Sequence, residues 1–348
     1  MRMCDATPDT HLCGGGAVHE LESQISGWFH LPHTLAVSSA TAGLLGVALA
    51  LDLAGCEFVT TPYTWGGSLA SWLLLGCRPV FADVDPLTLT LDPESVRARI
   101  TARTRAILAV DINGNPCDTA ALRALADEHG LWYVADAAQS LGATRGGRPA
   151  SCDADAVVLS FGTGKALDVA EGGAVVTPHE WLHQRLVWHT QHPQRQARDI
   201  GLGLINECAF NARIHPVAAH EASAAFSQAL ADVKERSRSG LEVLSLLEAA
   251  GLVEPSGLPG GDDVRPSFHR LSVLPVASRS EFLATEGRLW RTEPSPVGLV
   301  YRLGGFSGAH VAPGACPVAE GQAERRRVLR EQACVLSESA GSDARHRS

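Results

Sequence analysis

The sequence of 348 residues has no apolar stretch approaching the ~20 residues that a membrane-spanning helix needs. Its first residues, Met1-Arg2-Met3-Cys4-Asp5-Ala6, lack the apolar core of a secretory signal, so a cytoplasmic protein is expected. Basic character is also scarce. With 29 Lys and Arg against 38 Asp and Glu, the chain offers no positive field to nucleic acid or to an anionic membrane, and its one basic run, Arg325-Arg326-Arg327, reads as a solvated helix face. The nine cysteines (Cys4, Cys13, Cys56, Cys77, Cys117, Cys152, Cys208, Cys316, Cys334) are odd in number and scattered, and none forms a C-x-x-C pair, so reduced thiols are expected rather than disulfides or a zinc site. A metal site among His179, His183, His189 and His192 is not expected, because no cysteine or carboxylate has companion spacing and a polar helix face accounts for these residues. Gly14-Gly15-Gly16 follows no strand and lacks the G-x-G-x-x-G spacing, which sets aside a dinucleotide fingerprint.

What is present is enough apolar residue for a substantial core, in a length that suits one large domain and a smaller one. From residue 34 to 177, short β-rich runs alternate with helical patterns, the signature of a doubly wound, mostly parallel sheet with helices on both faces. The runs are Thr34 to Val37, Phe58 to Thr61, Pro79 to Asp83, Ala106 to Asp111, Trp132 to Asp136, Ala156 to Phe161 and Gly173 to Thr177. Helical spacing is seen at Ala42 to Leu53, Leu69 to Leu75, Pro93 to Ile100 (with Asp92 as N-cap) and Thr119 to His129 (closed by Gly130). A helical, His- and Gln-rich stretch from His179 to Arg198 and a long helix from about His215 to Leu247 follow. The division expected is an N-terminal segment over 1–33, a large domain over 34–250, a small α+β domain over 251–336 after the Gly/Pro-rich Pro255 to Pro266, and a polar, disordered tail over 337–348.

Ligands of such sheets collect at the carboxyl ends of the strands, so the residues that end the runs carry the functional reading. Lys165 stands in Ser160-Phe161-Gly162-Thr163-Gly164-Lys165, just past one run and ahead of Glu171-Gly172-Gly173-Ala174. A Schiff-base lysine must be neutral to attack an aldehyde, and desolvation beside other cations lowers its pKa in that direction; the alternative is a loop lysine in solvent. Asp136 ends another run, where a carboxylate is costly to bury without a cationic partner; a protonated pyridine nitrogen is one such partner, and capping of a helix at Asp136-Ala137-Ala138-Gln139 is the alternative. Ser38-Ser39-Ala40-Thr41-Ala42-Gly43 joins a strand to an apolar helix, which suits a phosphate site or ordinary capping by Ser39. Ser160 can add a hydroxyl, and Trp65 offers a face for ring stacking or simply packs in the core. A lysine, a strand-ending acid and small residues around a phosphate are the parts of a pyridoxal phosphate (PLP) site.

Taken in order, these motifs resemble the DegT-type family of nucleotide-sugar and aminocyclitol aminotransferases, fold-type I PLP enzymes. The resemblance runs from roughly Gly14 to Ala219 and faintly on to Glu320, and rests on Ser39-Ala40-Thr41-Ala42, Thr61-Pro62-Tyr63-Thr64-Trp65, Pro79-Val80-Phe81-Ala82-Asp83-Val84-Asp85, Asp136-Ala137-Ala138-Gln139, Ser160-Phe161 with Lys165, Glu171-Gly172-Gly173-Ala174 and Asn211-Ala212-Arg213. It implies that Lys165 bonds the cofactor and then moves the substrate proton. It further implies that Asp136 pairs with the pyridinium nitrogen, Gln139 lies near the ring and its hydroxyl, Trp65 stacks on it, and Ala40, Thr41 and Ser160 bind the phosphate. Asn211 would reach the phosphate of a neighbouring subunit, so a homodimer is implied. The implied reaction takes an amino group from glutamate or glutamine to a keto sugar or keto cyclitol, in specialised metabolism such as antibiotic biosynthesis. Two other outcomes stay open: another PLP reaction (epimerase, lyase or condensation), or a catalytically silent PLP-binding regulator. The chain departs from the family in Ala40, where glycine is usual, in the looser Gly162-Thr163-Gly164, and in a C-terminus that looks shortened, with no clear strand or helix after Cys316-Pro317-Val318-Ala319-Glu320.

Overall fold

The computed structural model describes residues 11–201, 205–256, 263–276, 290–294, 299, 316–325 and 327–331. The seven runs form one sheet: β1 (His33–Val37), β2 (Glu57–Thr60), β3 (Arg78–Phe81), β4 (Thr104–Val110), β5 (Trp132–Asp136), then, past a short hairpin of β6 (Thr144–Arg145) and β7 (Arg148–Pro149), β8 (Ala156–Ser160) and β9 (Gly173–Thr177). The spatial order is β1-β9-β8-β5-β4-β2-β3. Strands β3, β2, β4, β5 and β8 pair parallel, whereas β9 runs antiparallel to both its neighbours, β8 and β1. Because β9 is reversed, its first residue returns to the sheet edge that β8 leaves, and the segment between Ser160 and Gly173 stays at that edge.

The helices are α1 (Ala17–Phe29), α2 (Ala40–Ala50), α3 (Gly67–Leu74), α4 (Pro93–Arg99), α5 (Thr119–His129), α6 (Glu180–Thr190), α7 (Pro193–Asp199), α8 (Pro216–Ala249) and α9 (Pro317–Arg325). Leu35, Phe58, Leu108, Val134, Val158 and Val175 face one core with α2, α3 and α6; Ala36, Val59, Ile107, Tyr133, Val157 and Ala174 face the other with α1, α5 and α8. Burial on both faces is why the strands read as continuous apolar runs rather than alternating ones. Helix α2 lies against the sheet with Gly43 at the contact: a Cβ there would stand 3.0 Å from Val175 and 3.1 Å from Val158. Asp92 caps α4 by accepting from Glu94 N at 3.1 Å, and Gly130 closes α5 at φ 62°, both as the sequence predicts.

One sequence reading is refined and two need correction. The stretch from His179 to Arg198 is two helices, because Pro193 opens α7 and holds His192 in extended backbone (ψ 145°). A strand does follow the helix that begins at Pro317: β13 (Arg327–Glu331) lies between β11 (Leu271–Val273) and β12 (Trp290–Pro294) in an antiparallel sheet, and the basic run beside it masks its β pattern. Cys13 is disulfide-bonded, so the thiols are not all reduced; its position in the N-terminal segment carries no pairing signal. Cys56, Cys77, Cys117, Cys152, Cys208 and Cys316 are free. A strand over Val264–Arg265 (β10) pairs with β6, and the tail over 337–348 lies outside the described residues.

A buried ion pair ties α1 to α7. Arg195 on α7 donates from Nη1 and Nη2 to the two carboxylate oxygens of Glu22 on α1, at 2.9 and 2.8 Å, and from Nε to Asp199 at 2.9 Å. Glu22 also accepts from Ala36 N in β1 at 2.7 Å, so no oxygen of the pair is wasted.

Candidate active site

The site forms at the carboxyl edge, where the loop after β1 is drawn to the loop before β9. Ser39 bridges Gly172, Ser38 N donates to Ala212 O at 2.7 Å, and Ser160 pairs with Gly173. The approach is so close that a Cβ at Gly173 would stand 2.5 Å from Leu159 O and 2.8 Å from Ala40 N. Both obstacles are backbone, so Gly173→Ala is expected to break the β8–β9 pairing or expel the loop over Ser38 to Ala40. We expect loss of cofactor binding with a lowered thermal midpoint; a variant with wild-type midpoint and cofactor content would refute this. Ala40 and Ser160 are thus brought together. Ala40 is not in the left-handed region, so its Cβ meets none of the strain that a glycine-only backbone would impose. Ser39 does cap α2, accepting from Ala42 N at 3.1 Å, so its hydroxyl serves the helix.

Thr41 and Trp65 converge at Gly67, where a Cβ would lie 3.1 Å from Trp65 Cδ1 and 3.5 Å from Thr41 Oγ1. Trp65 is 66% exposed, an unusual surface for an indole, and so is not core packing. One turn on, Ser68 and Thr64 share a hydroxyl hydrogen bond of 2.9 Å, and Ser68 bonds the Asp136 carboxylate. No helix follows Asp136; its Oδ1 takes Ala138 N at 3.0 Å in a turn instead.

Asp136 is 4% exposed, and burial raises its pKa above the ordinary value, opposed by the bonds from Ser68 and Ala138 and by the charge of Lys165. Lys165 is half-buried: burial chiefly lowers its pKa, Asp136 acts the other way, and Arg270 lowers it further. Its glycine-rich approach is held by Asp168, which accepts from Gly164 N at 2.7 Å and Ala170 N at 3.0 Å. Gln139 is beside Asp136 in the chain, and its Oε1 accepts from Asn113 N at 2.8 Å. Asn211 stands apart from these side chains: it is exposed, accepting from Arg213 Nε at 2.7 Å, on the segment that bridges the end of β1.

A family model described as the DegT/DnrJ/EryC1/StrS aminotransferase family matches residues 3–285. The chain belongs to this family. It is a PLP-dependent aminotransferase with the fold-type I architecture. Among solved structures, the aminotransferase is similar to one from Psychrobacter cryohalolentis (26% identity, TM-score 0.81, covering 90% of this chain and 86% of that one). It is also similar to DesI, solved in the presence of its TDP-sugar product (30%, 0.72, 96% and 88%), and to S. venezuelae DesV (27%, 0.74, 96% and 91%).

The residues of the aminotransferase fit its cofactor. A buried carboxyl short of compensation suits a cationic ring nitrogen, an exposed indole face suits a ring, and a lysine inclined to neutrality suits an aldehyde. Sequence reading missed four contributors: Ser68, Asp168, His269 and Arg270. The last two lie just past the Gly/Pro-rich stretch that reads as a linker. One signal was available and decisive in kind: the aminotransferase has only two lysines, Lys165 and Lys234, which leaves few candidates for a Schiff base. Among the described residues, no group of three His, Cys, Asp or Glu is placed to hold a metal, and no helix is long and apolar enough to cross a membrane.

Proposed function

We propose that this enzyme moves an amino group from glutamate or glutamine to a keto sugar or keto cyclitol of specialised metabolism, as a cytoplasmic homodimer. The observation that carries the reading is Lys165 held half-buried against Asp136 at the sheet edge, in a chain that shares 30% identity with an enzyme solved with a TDP-sugar product. When bound, PLP supplies an aldehyde that bonds amines and a ring that accepts electrons from the carbon losing its proton. Lys165 Nζ, kept toward its neutral form by burial, is the group that bonds the aldehyde and then carries the proton. Asp136 holds the ring nitrogen protonated, and Ser68 and Ala138 fix the carboxylate that does so. Trp65 covers the ring, Gln139 stands by its hydroxyl, and Ala40, Thr41 and Ser160 receive the phosphate. Exposed Asn211, next to the phosphate-side loop, reaches the neighbouring subunit's site. Pairing two such surfaces would also cover Val217, which is 61% exposed on the first turn of α8.

The test is the first half-reaction. Holoenzyme mixed with glutamate or glutamine without acceptor is expected to lose its visible cofactor absorbance and release one keto acid per site. No response to any amino acid would sink transamination while leaving cofactor binding intact.

A further inference from the structure

A cavity of about 460 Å³ opens between α1, α8 and the antiparallel strands β6 and β10, and none of the residues assigned above to the cofactor lines it. Helix α1 contributes Trp28, and α8 contributes Leu230, Lys234 and Ser237, whose spacing puts them on one helix face. Thr144 of β6 and Arg265 of β10 complete the wall. Gly142 lets the chain ahead of the hairpin close on α8: it stands at φ 84°, where a Cβ would lie 2.7 Å from Val233.

The charged residues of this wall are Lys234 and Arg265, both cations, and no carboxylate lines it. Lys234, one of two lysines in the sequence and the one the chemistry does not use, is exposed and forms no ion pair with a described residue. Two polar atoms of the wall are buried without a partner, Nε1 of half-buried Trp28 and Oγ of Ser237, which is 3% exposed. A helical hydroxyl commonly turns back to a carbonyl one turn earlier, as Thr190 does to Leu186 at 2.7 Å, and Ser237 does not. An indole N–H can only donate, so its need is for an acceptor. Buried donors without acceptors, a cation facing solvent, and apolar surface from the indole and Leu230 fit one kind of occupant, in a volume usual for small-molecule sites.

We propose that this cavity is a second ligand site of the enzyme, which takes a small metabolite bearing a carboxylate or phosphate on a flat, apolar body. Lys234 receives the oxyanion, Ser237 and the indole N–H donate to it, and Trp28 and Leu230 cover the body.

Calorimetric titration of holoenzyme, kept in excess PLP so that the active site is filled, tests this with 1-naphthyl phosphate, 1-naphthoate and the neutral 1-naphthylmethanol. At least one anion is expected to bind with a Kd below about 1 mM and about 10-fold or more tighter than the alcohol. The tighter anion tells phosphate from carboxylate as the source of the charge, and equal affinity of the two means that the site reads the oxyanion alone. Lys234→Met is expected to weaken the anions by about 10-fold and leave the alcohol unchanged. Ser237→Ala, which removes a hydroxyl that bonds nothing in the protein, is expected to keep the thermal midpoint and weaken the anions by about 3- to 10-fold. Absence of binding by either anion, an alcohol that binds as tightly as the anions, or variants that bind the anions as wild type does, overturns the proposal. None of these outcomes depends on which reaction Lys165 supports.

Discussion

Lys165→Ala is expected to remove the borohydride-reducible bond between protein and cofactor completely and to lower turnover by about 10³-fold or more. Two functions leave with one side chain. The amine that bonds the aldehyde is lost, and so is the base that carries the proton, for which Lys234 on α8, lining a separate cavity with Trp28 and Arg265, is no substitute. Asp136, Ser68, Trp65 and the phosphate-side loop remain, so the variant should still take up cofactor without a covalent bond. Mass spectrometry after borohydride reduction, with turnover measured on the same sample, checks both halves. Retention of the reduced adduct, or turnover within tenfold of wild type, would assign the chemistry elsewhere.

The largest expected loss of stability lies far from this chemistry, at Arg195. Replacing it with alanine leaves Glu22, about nine-tenths buried, without its bidentate partner and Asp199 without its Nε donor. Breaking a buried pair from one side strands a charge out of water, which costs about 3–5 kcal/mol. The denaturant midpoint should fall accordingly, and Glu22→Ala should lower it less than additively with Arg195→Ala because the two act on one pair. An unchanged midpoint would mean that Glu22 is not left charged and out of water when Arg195 is removed.

The sheet was legible because each strand is buried on both faces, and such strands announce themselves as unbroken apolar runs bounded by glycine, proline and aspartate. Asp136 and Lys165 were legible for the opposite reason: a charged residue at the end of an apolar run has to be accounted for. The elements that were missed were hidden by composition. Gly/Pro-rich residues ahead of Ser267 look like a linker, yet the chain beyond them brings His269 and Arg270 within electrostatic reach of Lys165. The basic run Arg325-Arg326-Arg327 looks like a helix surface, and Arg325 does end α9, but Arg327 opens β13. Asp168 gives no signal at a distance, since its work is to bind two amides within its own loop. Long-range pairings such as Arg195 with Glu22 leave no local trace at all.

The reversal of β9 also sets a timetable for assembly. His33 pairs with Thr177 and Val37 with Gly173, so β1, which leads into Ser38 to Ala40, is made early but, among the described residues, gains its neighbour in the sheet late. A nascent chain that ends before residue 172 has Trp65, Asp136 and Lys165 yet lacks the bridge to Ser39 and the close contact with Ala40 that Gly172 and Gly173 provide. Contacts so distant in sequence close slowly and are formed against loop entropy. Competence to hold the cofactor should therefore arrive abruptly during synthesis, when the edge strand is captured, rather than accumulate motif by motif.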